Sequence, residues 1–133
     1  MRYLLDTNVC IRYLNRQSEK IHQRLSMKTP EEIALCSVVK AELIYGAQKS
    51  RNPLNNLQKV YSFTDPFVSL PFDDKAAEAY GQIRSELERI GIPIGPNDLM
   101  IAAIAVTNDL ILITHNTSEF GRIDALHIED WES

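Results

Sequence analysis

Four acidic residues, far apart in the sequence, each lie where a strand or helix end could direct a carboxylate into one pocket. They are Asp6, Glu42, Asp98 and Glu119. Asp6 and Glu42 lie within or directly after apolar segments, although an unpaired carboxylate is costly to bury. A bound divalent cation removes that cost, and a site of oxygen ligands suits Mg²⁺ or Mn²⁺. The four acids therefore indicate a metal-dependent site for phosphoryl transfer.

Polar residues accompany two of these acids. Asn8 follows Asp6 by two positions and could bind an acid or a phosphate oxygen. After the fourth expected strand, Thr114 could bind a phosphate, and Asn116 or Glu119 could reach a metal ion, directly or through water. The expected site thus includes side chains for both the ion and the substrate.

Each acidic position also has an ordinary structural explanation. Asp6 and Asn116 could cap the helices that follow them, and Asp98 could interact with a helix dipole. Glu42 could form a salt bridge or lie at an exposed helix edge. Any one acid is therefore weak support for a metal site, and the indication comes from the four together.

The hydrophobic pattern predicts five short strands and six helices. The strands are expected at residues 2–5, 33–36, 67–70, 110–113 and 125–128. The helices are expected at residues 7–14, 19–28, 38–49, 52–63, 74–90 and 98–107. Ser37, Asp73 and Asn97 are the expected N-caps, and Gly91 is expected to end the fifth helix.

Alternating apolar strands and helices are typical of an α/β sandwich around a mostly parallel sheet. No repeat, low-complexity segment or long linker divides the chain, so residues 1–133 are expected to form a single domain. In such sheets, ligands bind at the C-terminal edge of the strands. Asp6 and Thr114 follow strand ends, and both are expected at that edge.

The composition is that of an ordinary globular protein, with 44% hydrophobic and 24% charged residues. The net charge of −4 argues weakly against broad, unassisted binding of nucleic acid, because phosphate contacts need Lys and Arg. Local basic patches are still available. They are Arg12, Arg16 and Lys20, and separately Lys49 and Arg51.

Neither a membrane-spanning segment nor a secretion signal is expected. The longest apolar stretch, residues 99–106, is too short to span a bilayer, and the N-terminus lacks a signal-peptide pattern. Cys10 and Cys36 lie among apolar neighbours and are expected to be free, buried thiols. A cytoplasmic location without a membrane partner is the expectation for such a chain.

Four segments of the chain carry the motifs of a known family. They are residues 3–8 (YLLDTN), 37–47 (SVVKAELIYGA), 95–103 (GPNDLMIAA) and 114–120 (THNTSEF). In this order and spacing they resemble PIN-domain proteins, and specifically the VapC-type toxins of bacterial toxin–antitoxin pairs. The resemblance covers nearly the whole chain and is highly specific, whereas Leu-Asp-Thr-Asn alone would not be. It implies a PIN-like three-layer α/β/α sandwich.

The resemblance implies a metal-dependent endoribonuclease in which Asp6, Glu42 and Asp98 are the shared acidic residues. It implies Mg²⁺ or Mn²⁺, with Asp6 and Asp98 as direct ligands and Glu42 as a ligand or as the group that orients the attacking water. In many relatives a further Asp follows the fourth strand. Here Asn116 or Glu119 could take its place.

The resemblance also implies a substrate and partners. The substrate would be structured RNA, often tRNA, hydrolysed to a 3′-hydroxyl and a 5′-phosphate, with Asn8, Thr114 and Asn116 positioning the scissile phosphate. The partners would be a second copy of the chain and a cognate VapB-type antitoxin, whose Arg could pair with the acidic pocket. Candidates for the dimer surface are Ile44, Tyr45, Tyr61 and Phe63.

Two other functions are compatible with the same residues. Asp6 could be the nucleophile of an aspartyl-phosphate phosphohydrolase, although that class usually has a second acid where this chain has Asn8. Alternatively, the chain could be a catalytically weak PIN-like binding module that mainly pairs with its antitoxin. A trapped phospho-enzyme would favour the first function, and a lack of metal uptake would favour the second.

Overall fold

The computed structural model describes residues 1–133. It consists of a five-stranded sheet flanked by seven helices. The strands are β1 (Tyr3–Leu5), β2 (Ile33–Cys36), β3 (Val68–Leu70), β4 (Ile111–Ile113) and β5 (Ile128–Glu129). The helices are α1 (Thr7–Leu14), α2 (Glu19–Ser26), α3 (Ser37–Gln48), α4 (Pro53–Thr64), α5 (Asp74–Arg89), α6 (Pro96–Thr107) and α7 (Thr117–Phe120). A 3₁₀ helix, Pro30–Glu32, precedes β2.

All five strands are parallel and lie in the order β3-β2-β1-β4-β5. The central strand is β1, where Tyr3 pairs with Ile33 on one side and Ile111 on the other. After β1, the chain therefore adds β2 and β3 on one side of this strand and then adds β4 and β5 on the other side. Such a reversal of strand order opens a crevice at the C-terminal edge, and this crevice is where ligands bind in open α/β sheets.

The three central strands, β2, β1 and β4, are apolar because helices cover both faces of the sheet. Leu4, Leu35 and Leu112 are fully buried in the middle of three neighbouring strands. Helix α6 packs against α5 and buries all of its residues from Ile101 to Ala105. The predicted three-layer α/β/α sandwich is confirmed, and its sheet is parallel throughout rather than mostly parallel.

The predicted elements are confirmed in type and, for most of them, within two residues at each end. Two predicted end signals are also confirmed. The Asp73 side chain accepts a hydrogen bond from the Ala76 N–H at the start of α5 (2.9 Å). Gly91 follows α5 with φ of 79°, a left-handed conformation that favours glycine.

Three predictions about element ends are wrong. Ser37 is the first residue of α3, and Cys36 takes the cap position because the helix follows β2 without a loop. Asn97 lies inside α6, which begins at Pro96, a residue whose fixed φ suits the first position of a helix. The last strand is Ile128–Glu129 rather than residues 125–128, since the chain still turns at Ala125.

Only part of the expected dimer surface is exposed. Phe63 packs beside Tyr13 and Phe67, with ring centroids 5.0 and 5.5 Å away, and Ile44 packs against the core. Tyr45 and Tyr61 are exposed. The two aromatic side chains that face the solvent therefore belong to α3 and α4, and the other two candidates are taken up by the core.

Both cysteines are free and buried, as expected. Burial raises the pKa of the Cys36 thiol to about 11 and raises the pKa of the Cys10 thiol well above its ordinary value. Both therefore remain as neutral thiols that fill the core. None of the helices combines the length and the apolar character needed to cross a membrane.

Trp131 fixes the C-terminus to the first strand. Its ring lies edge-on to Tyr3 with centroids 5.7 Å apart, and its indole N–H donates to Glu129 Oε1 (2.9 Å). The side chain is only 1% exposed. This packing holds β5 and the C-terminal turn against the sheet.

Trp131→Ala is expected to lower the free energy of unfolding by about 3–5 kcal/mol, because it leaves a large cavity and removes the contact with Tyr3. Urea unfolding followed by far-UV circular dichroism measures this loss. Met27→Ala, at a side chain that is 77% exposed, is the control and should change little. Equal effects of the two substitutions would contradict the role of Trp131.

Candidate active site

Asp6 is both a helix cap and a buried carboxylate at the sheet edge. It follows β1 directly, and its Oδ1 accepts a hydrogen bond from the Thr7 N–H at the start of α1 (2.8 Å). Its Oδ2 accepts a second bond from the Thr114 hydroxyl (2.9 Å). The residue is 4% exposed. The capping role and the functional role considered for Asp6 are therefore compatible, because one carboxylate can perform both.

Thr114 holds Asp6 from the neighbouring strand. It follows β4, is completely buried, and its hydroxyl accepts from the Asn116 N–H (3.0 Å) while donating to Asp6. Its hydroxyl therefore orients Asp6 from beneath the cleft, whose lining does not include Thr114. A role of Thr114 in positioning the scissile phosphate stays a prediction.

Glu42 is half-buried near the middle of α3 and is held by Thr7, a residue whose role no motif of the sequence indicates. The Thr7 hydroxyl donates to Glu42 Oε1 (2.5 Å) across 35 positions of sequence. Thr7 thus joins two of the acids, since its N–H binds Asp6 and its hydroxyl binds Glu42. The only signal in the sequence is its place beside Asp6 in the first turn of α1.

Asp98 and Glu119 lie on two helices, α6 and α7, that meet at Gly95. Asp98 lies in the first turn of α6, where Pro96 and the N-cap Gly95 set the start of the helix. Glu119, in the short helix α7, accepts from the Asn116 side-chain amide (2.7 Å) and from the Gly95 N–H (3.4 Å). Asn116 therefore positions Glu119, and Glu119 in turn contacts the backbone just before α6.

Three of the predicted acids line one open cleft of about 740 Å³. They are Asp6, Glu42 and Asp98, and the exposed side chain of Asn8 lies beside them. Asn116 lies outside this cleft and lines a smaller neighbouring cavity, which it shares with Asn8. The structure thus brings the three core acids together and places Asn116, with the Glu119 that it holds, at one flank.

Burial and the neighbouring negative charges raise the pKa values of two of the acids, Asp6 and Asp98. Burial raises the pKa of Asp6, with further contributions from the negative charges of Glu42 and Glu119. These effects outweigh the hydrogen bonds from Thr114 and Thr7, which act in the opposite direction. A carboxylate that accepts two hydrogen bonds ordinarily has a lowered pKa, so the raised pKa reports how dry and how negative the site is.

The pKa of Asp98 is raised by the same causes. Burial, followed by repulsion from Asp6, Glu119 and Glu42, raises its pKa from 3.8 to about 6. None of these four carboxylates forms an ion pair with Lys, Arg or His. The site therefore concentrates negative charge without a protein cation to balance it.

The donor set fits a hard divalent cation. The charged donors at the site are all carboxylate oxygens, which Mg²⁺ and Mn²⁺ prefer, and their mutual repulsion is what such an ion would relieve. No three Asp, Glu, His or Cys side chains already stand together as a finished ligand group. Glu42 Oε1 is held by the Thr7 hydroxyl, which leaves its Oε2 for an ion or a water molecule.

Comparison with known proteins agrees with this geometry. The family model described as the PIN domain matches residues 3–126. The match includes all four acids and every strand except β5. The chain therefore belongs to the PIN-domain family.

Relatives narrow the assignment within that family. The chain is 42% identical to the tRNA(fMet)-specific endonuclease VapC of Salmonella typhimurium, with 98% of each chain covered. It is 38% identical to Ribonuclease VapC2 of Rickettsia felis, with 99% of each chain covered. The crystal structure of DNA-bound VapBC from Salmonella typhimurium superposes with a TM-score of 0.93 at 42% identity, covering 98% of each chain. Within the PIN-domain family, the chain belongs to the VapC ribonucleases.

Thr114→Val is expected to destabilise the fold by about 1–3 kcal/mol, because it leaves Asp6 Oδ2 without its donor and the Asn116 N–H without its acceptor. Urea unfolding at pH 7 measures the loss. Thr114→Ser keeps the hydroxyl and is the matched variant, for which a smaller loss is expected. If the valine variant were as stable as the serine variant, the hydroxyl would not hold Asp6.

Asp98→Asn is expected to stabilise the metal-free protein at pH 7. The cost of ionising this half-buried residue comes first from burial and then from repulsion by the other acids, and water screens it to about 1 kcal/mol, which corresponds to a rise in Tm of roughly 2–4 °C. The folded pKa of about 6 lies above the ordinary 3.8, so the penalty is absent at low pH and develops as pH rises between these values.

Thermal unfolding in EDTA at pH 4 and pH 7 tests this effect of Asp98. The stabilisation should be present at pH 7 and largely lost at pH 4. Asp109→Asn, at an exposed Asp outside the cleft, is the control and should change Tm little at either pH. A gain for Asp98→Asn that does not depend on pH would contradict the repulsion.

Proposed function

We propose that this chain is the toxin of a toxin–antitoxin pair and acts as a metal-dependent endoribonuclease on tRNA. The observation that carries the proposal is the cleft in which Asp6, Glu42 and Asp98 meet without a cationic partner. Relatives named as a tRNA(fMet)-specific endonuclease and as ribonucleases support RNA as the substrate and tRNA as its class.

Asp6 and Asp98 would hold the ion, and Glu42 would join them directly or through water. When bound, Mg²⁺ or Mn²⁺ would polarise the scissile phosphate and neutralise charge on the leaving oxygen. Asp6 is suited to its role because Thr7 and Thr114 fix its two oxygens in place. Such fixed carboxylates lose little conformational freedom when they bind the ion or the substrate.

Glu42 is placed to orient the attacking water. Its Oε1 accepts from the Thr7 hydroxyl, and its Oε2 has no hydrogen-bond partner in the protein. Oε2 can therefore accept a proton from a water molecule that attacks phosphorus in line. The bond from phosphorus to the 3′-oxygen would break, leaving a 3′-hydroxyl and a 5′-phosphate.

The amide side chains would have different duties. Asn8 is exposed at the edge of the cleft, so its amide can donate to a phosphate oxygen of the substrate. The Asn116 amide already donates to Glu119, so Asn116 would act mainly by placing that carboxylate near Asp6 and Asp98. Glu119, rather than Asn116, would then be the fourth acidic contributor to the metal site.

The proposed partners are a VapB-type antitoxin and a second copy of the chain. Solved VapBC complexes from Salmonella typhimurium, Rickettsia felis and Haemophilus influenzae contain toxins similar to this chain, and they support the antitoxin. An Arg of the antitoxin would find several unpaired carboxylates in the cleft, a suitable setting for bidentate pairing. Exposed apolar side chains such as Leu54 and Tyr61 are available for a dimer contact.

The two alternative functions are less well supported. An Asp6 nucleophile would have to attack from a position that is 4% exposed, with both oxygens engaged in hydrogen bonds. A binding module without activity would not need three acids in one cleft, where they repel one another. The ribonuclease uses both features, since the buried acids supply the ligands.

Asp98→Asn is expected to lower cleavage of tRNA at least about a hundred-fold, because it removes one charge that would hold the ion. Purified chain, freed of any antitoxin, would be incubated with total tRNA in Mg²⁺, Mn²⁺ or EDTA, and the fragments separated by gel electrophoresis. Asp109→Asn is the matched control and should cleave at the wild-type rate.

Three results would count against this function. Cleavage by Asp98→Asn at the wild-type rate would remove Asp98 from the mechanism, and cleavage in EDTA would remove the metal ion. A folded wild-type chain that cleaves no RNA with either ion but still binds antitoxin would establish the binding module instead.

A further inference from the structure

The cleft extends beyond the acids along helix α3 and changes character there. Glu42, within α3, and Lys49, the residue that caps the C-terminal end of α3, both line it. They are seven residues apart, so about two helical turns or roughly 10 Å separate their backbones. Tyr45 and Gly46 lie between them and also line the cleft. One end of the cleft is therefore acidic, and the other presents an aromatic ring and an amine.

Lys49 is the only basic residue that lines the cleft. It forms no ion pair with a carboxylate, whereas Arg12, Arg84 and Arg89 each pair with a glutamate. Its amine instead lies over the ring of Tyr45, 4.9 Å from the centroid. The charge of Lys49 is thus left for an anion that enters the cleft.

Tyr45 is 66% exposed, and its hydroxyl has no hydrogen-bond partner in the protein. Lys49 lies over the ring at one side, and the ring remains largely exposed where it lines the cleft. Flat aromatic faces stack on unpaired nucleobases, and neighbouring cations bind the phosphates between those bases. Tyr45 and Lys49 together therefore offer a ring for stacking on a base and a cation for binding a phosphate.

We propose that Tyr45 and Lys49 form a subsite for the nucleotide next to the scissile bond, with Tyr45 stacking on its base and Lys49 binding its phosphate. This inference rests on the proposed ribonuclease function and specifies how the substrate is held. A cation at this end also offsets the repulsion between RNA and the acids. Phosphate contacts of this kind set the register of a nucleic acid on a protein.

The backbone beside the pair is open enough for a strand to pass. A Cβ added to Gly46 would meet no atom within 4 Å, so packing does not explain this glycine in the last turn of α3. Gly46 also borders the adjoining cavity that contains Lys59, so the same surface continues toward a second amine. An RNA strand is the occupant that suits an aromatic ring flanked by unpaired amines and joined to a nuclease site.

RNA binding in a background without cleavage gives the most direct test. Filter binding of total tRNA to Asp98→Asn would be compared with the same protein carrying Tyr45→Ala, Tyr45→Phe or Lys49→Gln, over a range of salt concentrations. Tyr45→Ala should weaken binding about ten-fold, and Tyr45→Phe should bind like the parent because it keeps the ring. Lys49→Gln should weaken binding and reduce the slope of log K against log salt by about 0.7.

Cleavage kinetics give the second readout, with the Asp98 side chain intact. Tyr45→Ala should raise KM about ten-fold and leave kcat within about two-fold, since the ring acts on binding. Lys40→Gln, at a lysine of α3 that does not line the cleft, is the matched control and should leave KM unchanged. Gel filtration of Tyr45→Ala should show the wild-type oligomeric state.

These results separate the subsite from the nuclease function. If wild-type protein cleaves tRNA but Tyr45→Ala and Lys49→Gln bind it normally, the subsite is wrong and the function stands. If nothing is cleaved but these substitutions still weaken RNA binding as described, the function is wrong, and Tyr45 and Lys49 bind RNA without a scissile bond beside them. A changed oligomeric state, or weaker inhibition by antitoxin with unchanged RNA binding, would assign Tyr45 to a protein interface and overturn the proposal.

Discussion

The repulsion among unpaired carboxylates at one edge of the sheet is the constraint on which the rest of the site depends. Asp6 is held in a dry position, and burial, together with repulsion from the other acids of the site, raises the pKa of Asp98 to about 6. No protein cation balances these charges. A fold that keeps such a site gives up stability for it, as functional sites commonly do.

The parallel sheet and its helices hold the acids in place despite this repulsion, because several elements end or begin at the same edge of the sheet. The apolar strands β1 and β4 end side by side, which brings Asp6 next to the Thr114 hydroxyl. Helix α1 begins at the same point, so the Thr7 N–H adds a second donor to Asp6. Glu42 and Asp98 then approach from α3 and α6, two helices that pack against each other. Each acid is therefore fixed by an element whose position the core determines.

The order of the main strands and helices and the grouping of three acids in one cleft could be predicted from the sequence, because both depend on local patterns. Apolar runs and helical periodicity predicted the order of strands and helices, and the positions of Asp6, Glu42 and Asp98 predicted a shared pocket. The contacts that hold the acids were not predictable in the same way. Thr114 bonds across 108 positions and Thr7 across 35, and no local pattern shows that either hydroxyl points inward.

Uptake of a divalent cation by these carboxylates can be measured by calorimetric titration with Mn²⁺. At pH 7, wild-type protein and the Asp109→Asn control are expected to bind the ion with the same affinity, whereas Asp98→Asn should bind it at least about ten-fold more weakly. Binding should also weaken below pH 6, where Asp98 takes up a proton. An absence of uptake by the wild-type protein, or equal affinity in Asp98→Asn, would contradict a metal site at these carboxylates.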